Sequence, residues 1–478
     1  MSNGKPVAPV VQAYLKDVLA AVNGITDPNT NQPLQIPDFS DLYEAAGCLD
    51  DVVDPGDTMW TINTLLGRAG SVGSVAPTAT YALSFPNDHH IHADMGLEWY
   101  WVGCHMNVMT PQGETGRVSL LLSMEKLRAI GTAAQQAAGW SALDATVVAN
   151  LVTVTVDMGP GKRAIHRRRP NVQWPAAGGQ ADFSQPGADS LYFVCGDDSL
   201  RGSLNVLPLT VKVNDGDHMT VDIVLTQNAA TNVETAFFLQ GVPKMVSFTD
   251  GGTGLTPLPT PGIYYSWPQL QVSGSITVDG ICYTIVSGTG WIDHELMMSS
   301  LENPDGAVHP VPFVEDATPY NGWVWQFYNL DNGQAFTGAG FVLGAMNDAP
   351  TLSYGYFLTP NNGGWDAIFI QGKLDLLYPN TFPARVGTSG PMVDFPIVRG
   401  YSSVENAFLG KPLSGVATPW FPDGTFNGAN GAVCAEIPAD YTDLSGQYAN
   451  GLGYMESVGF ESVAGYRQYA LARLKSGV

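Results

Sequence analysis

The sequence predicts a mainly β protein made of antiparallel strands in two units. Its 54 glycines and 33 prolines punctuate the chain at short intervals. The runs between them alternate apolar and polar residues, as in LTVKVNDGDHMTVDIVL and LQVSGSITVDGICYTIV, the pattern of half-buried strands. Aromatic and β-branched residues, which favour a pleated surface, are frequent throughout. At 478 residues and 45% hydrophobic content the chain can bury a large core, and its length suggests two or three domains. Antiparallel sheets of this size close into barrels or sandwiches, which removes exposed edges.

Along the chain, Val10, Val11, Tyr14, Leu15, Val18, Leu19 and Val22 recur at helical spacing and predict a short helix over 8–23. Pro, Asn and Asp then predict irregular structure, so residues 1–78 form an N-terminal helical and irregular segment. A first β domain is expected over 79–255, interrupted near 124–150 by a helical insertion rich in Ala and Leu. The turn-rich TDGGTGLTPLPTPG at 249–262 marks the boundary, and a second β domain over 256–478 ends in a helix around AGYRQYALARLK.

Charge and cysteine usage narrow the function. Only 14% of residues are charged and the net charge is -23, which disfavours nucleic acid and anionic membranes as partners. The expected partner is an apolar small molecule, neutral or cationic. GKRAIHRRRP (161–170) gathers much of the scarce positive charge and reads as a solvated loop rather than an anion site. Five scattered cysteines without a CxxC pair, no signal-peptide pattern and no run of about 18 apolar residues predict a cytoplasmic protein without a transmembrane segment. GAGFVLG at 338–344 lacks dinucleotide-binding spacing, and no cofactor is expected.

Three clusters carry candidate chemistry. In GTGWIDHEL (288–296), strand alternation puts Trp291 and Asp293 on one face and Ile292 and His294 on the other. Asp279-Gly280 is the turn of the hairpin leading into it. Uninterrupted pairing across that turn sets Tyr265 and Trp267 on the face of Ile292 and His294. A bulge at Gly274, Gly288 or Gly290 would instead gather Tyr265, Trp267, Trp291 and Asp293, and that arrangement is the expectation. In FPNDHHIHADMGLEWYWVGCHM (85–106), His89, His90 and His92 precede a strand with Glu98 and Tyr100 on one face and Trp99 and Trp101 on the other. Zinc ligation by these histidines with Asp94 or Glu98 is an alternative to hydrogen-bonded loop positioning, the preferred reading; no metal site is assigned. In NGWVWQFYNLDNG, Trp323, Trp325 and Phe327 form a period-two stripe, either core or ligand wall.

FPNDHHIHADMGLEWYW, YYSWPQLQVSG, GTGWIDHEL, GWVWQFYNLDNG and GLGYMESVGF resemble, in that order, the lipocalin-like carotenoid-hydratase superfamily, also called hydroxyneurosporene synthase-like. The resemblance spans roughly 80–465 and implies two lipocalin-like β-barrel or sandwich domains with an apolar ligand site in or between them. It also implies cofactor-independent chemistry on carbon–carbon double bonds. The family includes carotenoid 1,2-hydratases, kievitone hydratase and, more distantly, decalin-forming fungal Diels–Alder cyclases. The hydratases' His-x-Trp and Tyr-x-Asp pairs fall on Tyr265-Ser266-Trp267 and Trp291-Ile292-Asp293. Trp267 and Asp293 are kept, but Tyr265 stands for the His and Trp291 for the Tyr, so the family's water-activating group is missing from its position.

Protonating an alkene needs a carboxylic acid kept neutral by burial, and Asp293 is the candidate. The carbocation that follows is stabilised by indole faces, for which Trp291, Trp267 and Trp101 qualify. Tyr265, His92 or His294 would serve as base, with His294 pointing away from Asp293. The predicted catalytic set is Asp293, Trp291, Tyr265 and His92, and the substrate-binding set is Trp267, Glu98, Tyr100, Trp101, Trp323, Trp325 and Tyr454. The expected activity is acid-catalysed hydration, cyclisation or isomerisation of an isoprenoid or polyene. A pericyclase, a non-catalytic carrier of a hydrophobic ligand and carbohydrate recognition are the alternatives. For Asp293-His294-Glu295 the competing reading is a strand-end charge network joining the two domains.

Overall fold

A computed structural model describes residues 82–128, 135–136, 139–168, 171–227, 237–239, 263–297, 320–343, 352–361, 364–385, 392–403, 414–420 and 434–458. The expected helices over 8–23 and at the C-terminus lie outside these residues. The described chain is mainly β, as its alternation and punctuation predict.

Thirteen strands form one strongly curled antiparallel sheet. The strands that matter for the site are β1 (Leu97–Met109), β2 (Thr115–Arg128) and β3 (Thr146–Asp157). β4 (Arg163–Arg167), β5 (Asn171–Gln173), β6 (Ala181–Phe183), β7 (Leu191–Cys195) and β8 (Asp198–Ser203) follow. β9 (Val206–Asp215), β10 (Met219–Thr226), β11 (Phe238–Leu239), β12 (Ile263–Val278) and β13 (Ile281–Met297) complete the sheet. Its main order is β4-β3-β2-β1-β13-β12-β10-β9-β8-β7-β6. Curling brings the far strands back together at Asp198 on β8, which is fully buried and binds Arg168 Nη1 at 2.8 Å, Asn150 Nδ2 at 3.1 Å and Asn171 Nδ2 at 2.8 Å.

Eight further strands close a barrel: β14 (Tyr320–Leu330), β15 (Ala335–Leu343), β16 (Leu352–Asn361), β17 (Gly364–Arg385), β18 (Met392–Ser403), β19 (Ser414–Pro419), β20 (Cys434–Asp443) and β21 (Gly451–Val458).

Four expectations need correction. The hairpin β12–β13, which a cut at 256 assigns to the second unit, is hydrogen-bonded into the first sheet between β1 and β10, and the barrel begins at Tyr320. The turn-rich stretch lies outside the described residues, and strand pairing across it was not visible in the sequence. Both ends of the stretch expected to be helical, 124–128 and 146–150, are strand, because β2 runs to Arg128 and β3 starts at Thr146. Buried Met124, Leu127, Val147 and Val148 pack as strand residues, so tertiary contact overrides the helical propensity of this Ala- and Leu-rich stretch. GKRAIHRRRP is not simply a solvated loop, since it contains β4 and its Arg168 is 3% exposed in the Asp198 ion pair.

The fourth correction concerns the bulge. β12 and β13 slip by one residue between Trp267 and Leu270 and slip back between Gln271 and Ser275. Gln269 at φ 57° and Gly274 at φ 118° mark the two irregularities. A bulge at Gly274 exists, but the second cancels it, so Tyr265 faces His294 and Trp267 faces Ile292 as uninterrupted pairing requires.

The core divides along the same faces. Even-numbered β1 residues such as Tyr100, Val102, Cys104 and Met106 pack into the first sheet's concave core. Trp101 packs instead with Leu121, Phe238, Trp291, Trp325, Phe327 and Tyr454, which joins the sheet to the barrel.

Candidate active site

The central strands β1 and β13 therefore carry two polar centres on opposite faces. Inside the first sheet, Glu98 is fully buried. Its Oε1 accepts from His92 Nδ1 at 3.0 Å and from His294 Nε2 at 2.9 Å, and its Oε2 accepts the His92 backbone N–H at 2.7 Å. Burial would raise the Glu98 carboxyl, but the two histidines outweigh it and hold it well below the usual range. Burial would likewise lower His92, yet Glu98 and Asp88 raise it to about 10, so this is a carboxylate–imidazolium pair. Burial lowers His294, whose Nδ1 lies 2.7 Å from the Tyr265 hydroxyl, and that hydroxyl also donates to the Asp88 carbonyl.

Around this chain Tyr100 stacks on His294 at 4.1 Å and donates to the His89 carbonyl at 2.6 Å. Lys126, also fully buried, donates to the carbonyls of His92 and Met95. The three histidines of the HHIH segment diverge: His89 Nδ1 lies 3.0 Å from the Tyr265 hydroxyl, His90 Nδ1 2.9 Å from Ser184 Oγ, and His92 turns to Glu98. Among the described residues no group of three or more His, Cys, Asp or Glu is arranged to hold a metal.

The other face is built by cross-strand pairing. Trp101 stands opposite Asp293 on β13 and Ser123 on β2, while Trp99 stands opposite Glu295 and Glu125. Ser266 of β12 faces Asp293 from the other side. Three indoles each donate to a different carboxyl: Trp291 to Asp293 Oδ1 at 2.8 Å, Trp99 to Glu295 Oε1 at 3.0 Å and Trp101 to Glu436 Oε1 at 3.0 Å. Ser266 also donates to Asp293 Oδ1. From the barrel, Glu436 and Glu456 stand directly opposite one another on β20 and β21. Two ionised carboxylates at that position would repel.

Electrostatics distinguishes these acids from Glu98. Asp293 is 2% exposed, and burial pushes it up to about 7 against the hydrogen bonds of Ser266 and Trp291, with Glu456 adding to the rise. Glu295 and Glu436 are only partly covered as residues, but their carboxyl groups are enclosed, and burial pushes both well above the ordinary glutamate range. Aromatic rings fill the space beside them. Trp291 stacks on Phe327 at 4.6 Å, and Trp101 meets Trp325, Phe327 and Tyr454 edge-on at 5.5, 5.6 and 5.5 Å. Gly103 lets Trp101 lie flat along β1, because a Cβ there would come 2.4 Å from its ring.

The predicted site thus splits. Asp293, Trp291 and Trp101 share the sheet face toward the barrel, and Trp325 and Tyr454 come from the barrel in the same cluster. Tyr265, His92, Trp267, Glu98 and Tyr100 lie on the far side of the same sheet, so Tyr265 and His92 are not placed to act as bases for Asp293. Trp323 lies on β14, with its side chain outside the described residues. The predicted site set omitted Ser266, Trp99, Glu436 and Glu456. Tyr454-Met455-Glu456 carried a usable signal, since alternation puts Glu456 on the face of Tyr454. Glu436 had none, because its position is defined only by pairing with Glu456.

No protein-family profile matches the sequence, and no curated protein matches it. Among solved structures the chain is similar to an AttH from Nitrosomonas europaea, with a TM-score of 0.51 at 17% identity, covering 81% of this chain and 100% of that one. That likeness is one of fold. Kievitone hydratase from Nectria haematococca has a TM-score of 0.45 at 13% identity, covering 82% of this chain and 97% of that one. CghA with Sch210972 has a TM-score of 0.45 at 9% identity, covering 82% and 98%.

Proposed function

We propose that this chain is a cofactor-independent enzyme of the carotenoid-hydratase superfamily that hydrates, cyclises or isomerises an apolar isoprenoid or polyene by acid catalysis at Asp293. The observation that carries this reading is a buried aspartic acid raised to about 7, held by two donors, on a wall of aromatic rings. Near pH 7 a large fraction of Asp293 is protonated. Its O–H bond breaks as a new C–H bond forms at one alkene carbon, and the positive charge moves to the neighbouring carbon. Trp291 and Ser266 hydrogen bonds already aim at the carboxylate produced, so little reorganisation accompanies transfer. Indole and phenyl faces stabilise the cation by about 2 kcal/mol or more where desolvated. The Asp293 carboxylate then removes a different proton in cyclisation or isomerisation, or in hydration water captures the cation and gives up one proton to the same carboxylate.

A second reading has one observation behind it. Among the described residues the Trp325 indole N–H is buried without a hydrogen-bond partner, and such a donor could polarise a carbonyl in a cycloaddition. Reaction in D2O separates the two, using acyclic isoprenoids and conjugated polyenes as substrates and mass spectrometry of the products. Acid catalysis places a solvent deuteron on product carbon in the wild type, and Asp293→Asn abolishes turnover. Full turnover by Asp293→Asn without deuterium incorporation overturns the acid mechanism in favour of cycloaddition. Unchanged ligand throughout supports a carrier instead.

A further inference from the structure

His105 lies on the same face of β1 as Trp101, four residues along the strand. It is 2% exposed, and neither ring nitrogen makes a well-formed hydrogen bond within the described protein. A loose backbone hydrogen bond with Gly453 favours its charged form, but burial and Arg117 dominate and lower it to about 3. The ring is therefore neutral, with one donor and one acceptor nitrogen.

Directly opposite His105 on β13 stands Thr289, whose Oγ1 is also buried without a partner among the described residues. On the other side, Ser119 of β2 stands opposite His105 and bonds the Tyr454 hydroxyl. Opposed residues in an antiparallel pair hold their Cβ atoms about 5 Å apart, so one oxygen atom between them can reach both side chains. An unpaired buried polar group is costly, because it has given up its hydrogen bonds to water. Two such groups side by side on one face point to an oxygen they receive together.

We infer that His105 and Thr289 form a subsite that binds a neutral hydroxyl or carbonyl oxygen at one end of an elongated apolar substrate. The inference rests on the acid-wall reading for the rest of the substrate's position. Four residues of extended strand set the subsite about 13 Å from Asp293. The interval has an aromatic floor, since the Tyr454 ring lies 5.5 Å from Trp101 and 4.9 Å from His105. A neutral imidazole and a hydroxyl each donate and accept, which suits an alcohol or ketone better than a carboxylate or an ammonium group. The preferred substrate is an oxygenated polyene whose oxygen is separated from the reacting double bond by about 13 Å of hydrocarbon.

The test is equilibrium binding to Asp293→Asn protein, which does not depend on turnover, followed by tryptophan fluorescence. Farnesol and geranylgeraniol are compared with the hydrocarbons of the same length. The alcohols should bind about tenfold more tightly, and Thr289→Val or His105→Leu should erase that preference while Thr289→Ser and His105→Gln retain part of it. Equal binding of alcohol and hydrocarbon, or a preference that survives Thr289→Val and His105→Leu in variants with native circular dichroism, overturns the subsite. An alcohol preference without solvent deuterium incorporation by the wild type leaves the subsite standing and defeats the acid mechanism alone.

Discussion

Asp293 and His294 are consecutive residues, yet they enter environments of opposite character. His294 joins a network in which Glu98 is ionised and His92 carries the matching charge. Asp293 joins acids that burial holds toward neutrality, with indole and hydroxyl donors in place of cations. Both faces are buried, so burial alone does not separate them. The partner's charge does: a cation draws a proton off a carboxyl, whereas an indole N–H leaves it titrating near neutrality. One sheet thus presents an ion-paired face suited to holding strands together and a face suited to donating a proton.

Removing Glu98 should produce the largest effect. Glu98→Ala leaves the His92 cation buried beside Asp88 alone and should lower stability by about 3–5 kcal/mol, read as a fall in the urea midpoint. Activity per folded molecule should persist. Lost activity at unchanged stability would move the reacting site into the first sheet.

Asp293→Asn should show the reverse pattern. Turnover should fall by at least about 10²-fold without a fall in the urea midpoint near pH 7. A large stability loss with residual turnover would favour the strand-end network reading.

Gly103→Ala probes packing on the aromatic face. The added methyl would lie 2.4 Å from the Trp101 ring and 3.2 Å from Phe327 Cζ. The expected cost is about 1–3 kcal/mol, with reduced turnover as Trp101 is pushed off Glu436.

The remaining effects are pH-dependent and differ in window. His92 rises from 6.5 to about 10 on folding, so its stabilisation is complete below 6.5 and disappears as pH rises through about 10. Asp293 rises from 3.8 to about 7, so folding favours its protonated form and that contribution disappears as pH rises from 3.8 through about 7. Urea midpoints measured against pH should lose the upper slope in His92→Gln and the lower slope in Asp293→Asn. Turnover should decline above about pH 7 in the wild type, as protonated Asp293 is depleted.

Much of this division was legible in the sequence. Period-two alternation separated Trp291 and Asp293 from His294, and Trp99 and Trp101 from Glu98 and Tyr100, because adjacent strand residues must point to opposite faces. Pairing was less legible. A glycine announced the bulge at Gly274, but its cancelling partner at Gln269 carries no comparable signal, so the face of Tyr265 and Trp267 came out reversed.

By itself the sequence determined the β class, the turn at Asp279-Gly280 and which side chains share a face of each strand. These follow from local backbone geometry, which acts over two to four residues. Only the tertiary structure decided that β12 and β13 belong to the first sheet, that Glu436 and Glu456 reach Trp101 and Asp293, and that His105 meets Thr289. Those contacts join residues up to 335 positions apart, where pairing partner and register are set by burial of whole surfaces rather than by any local pattern.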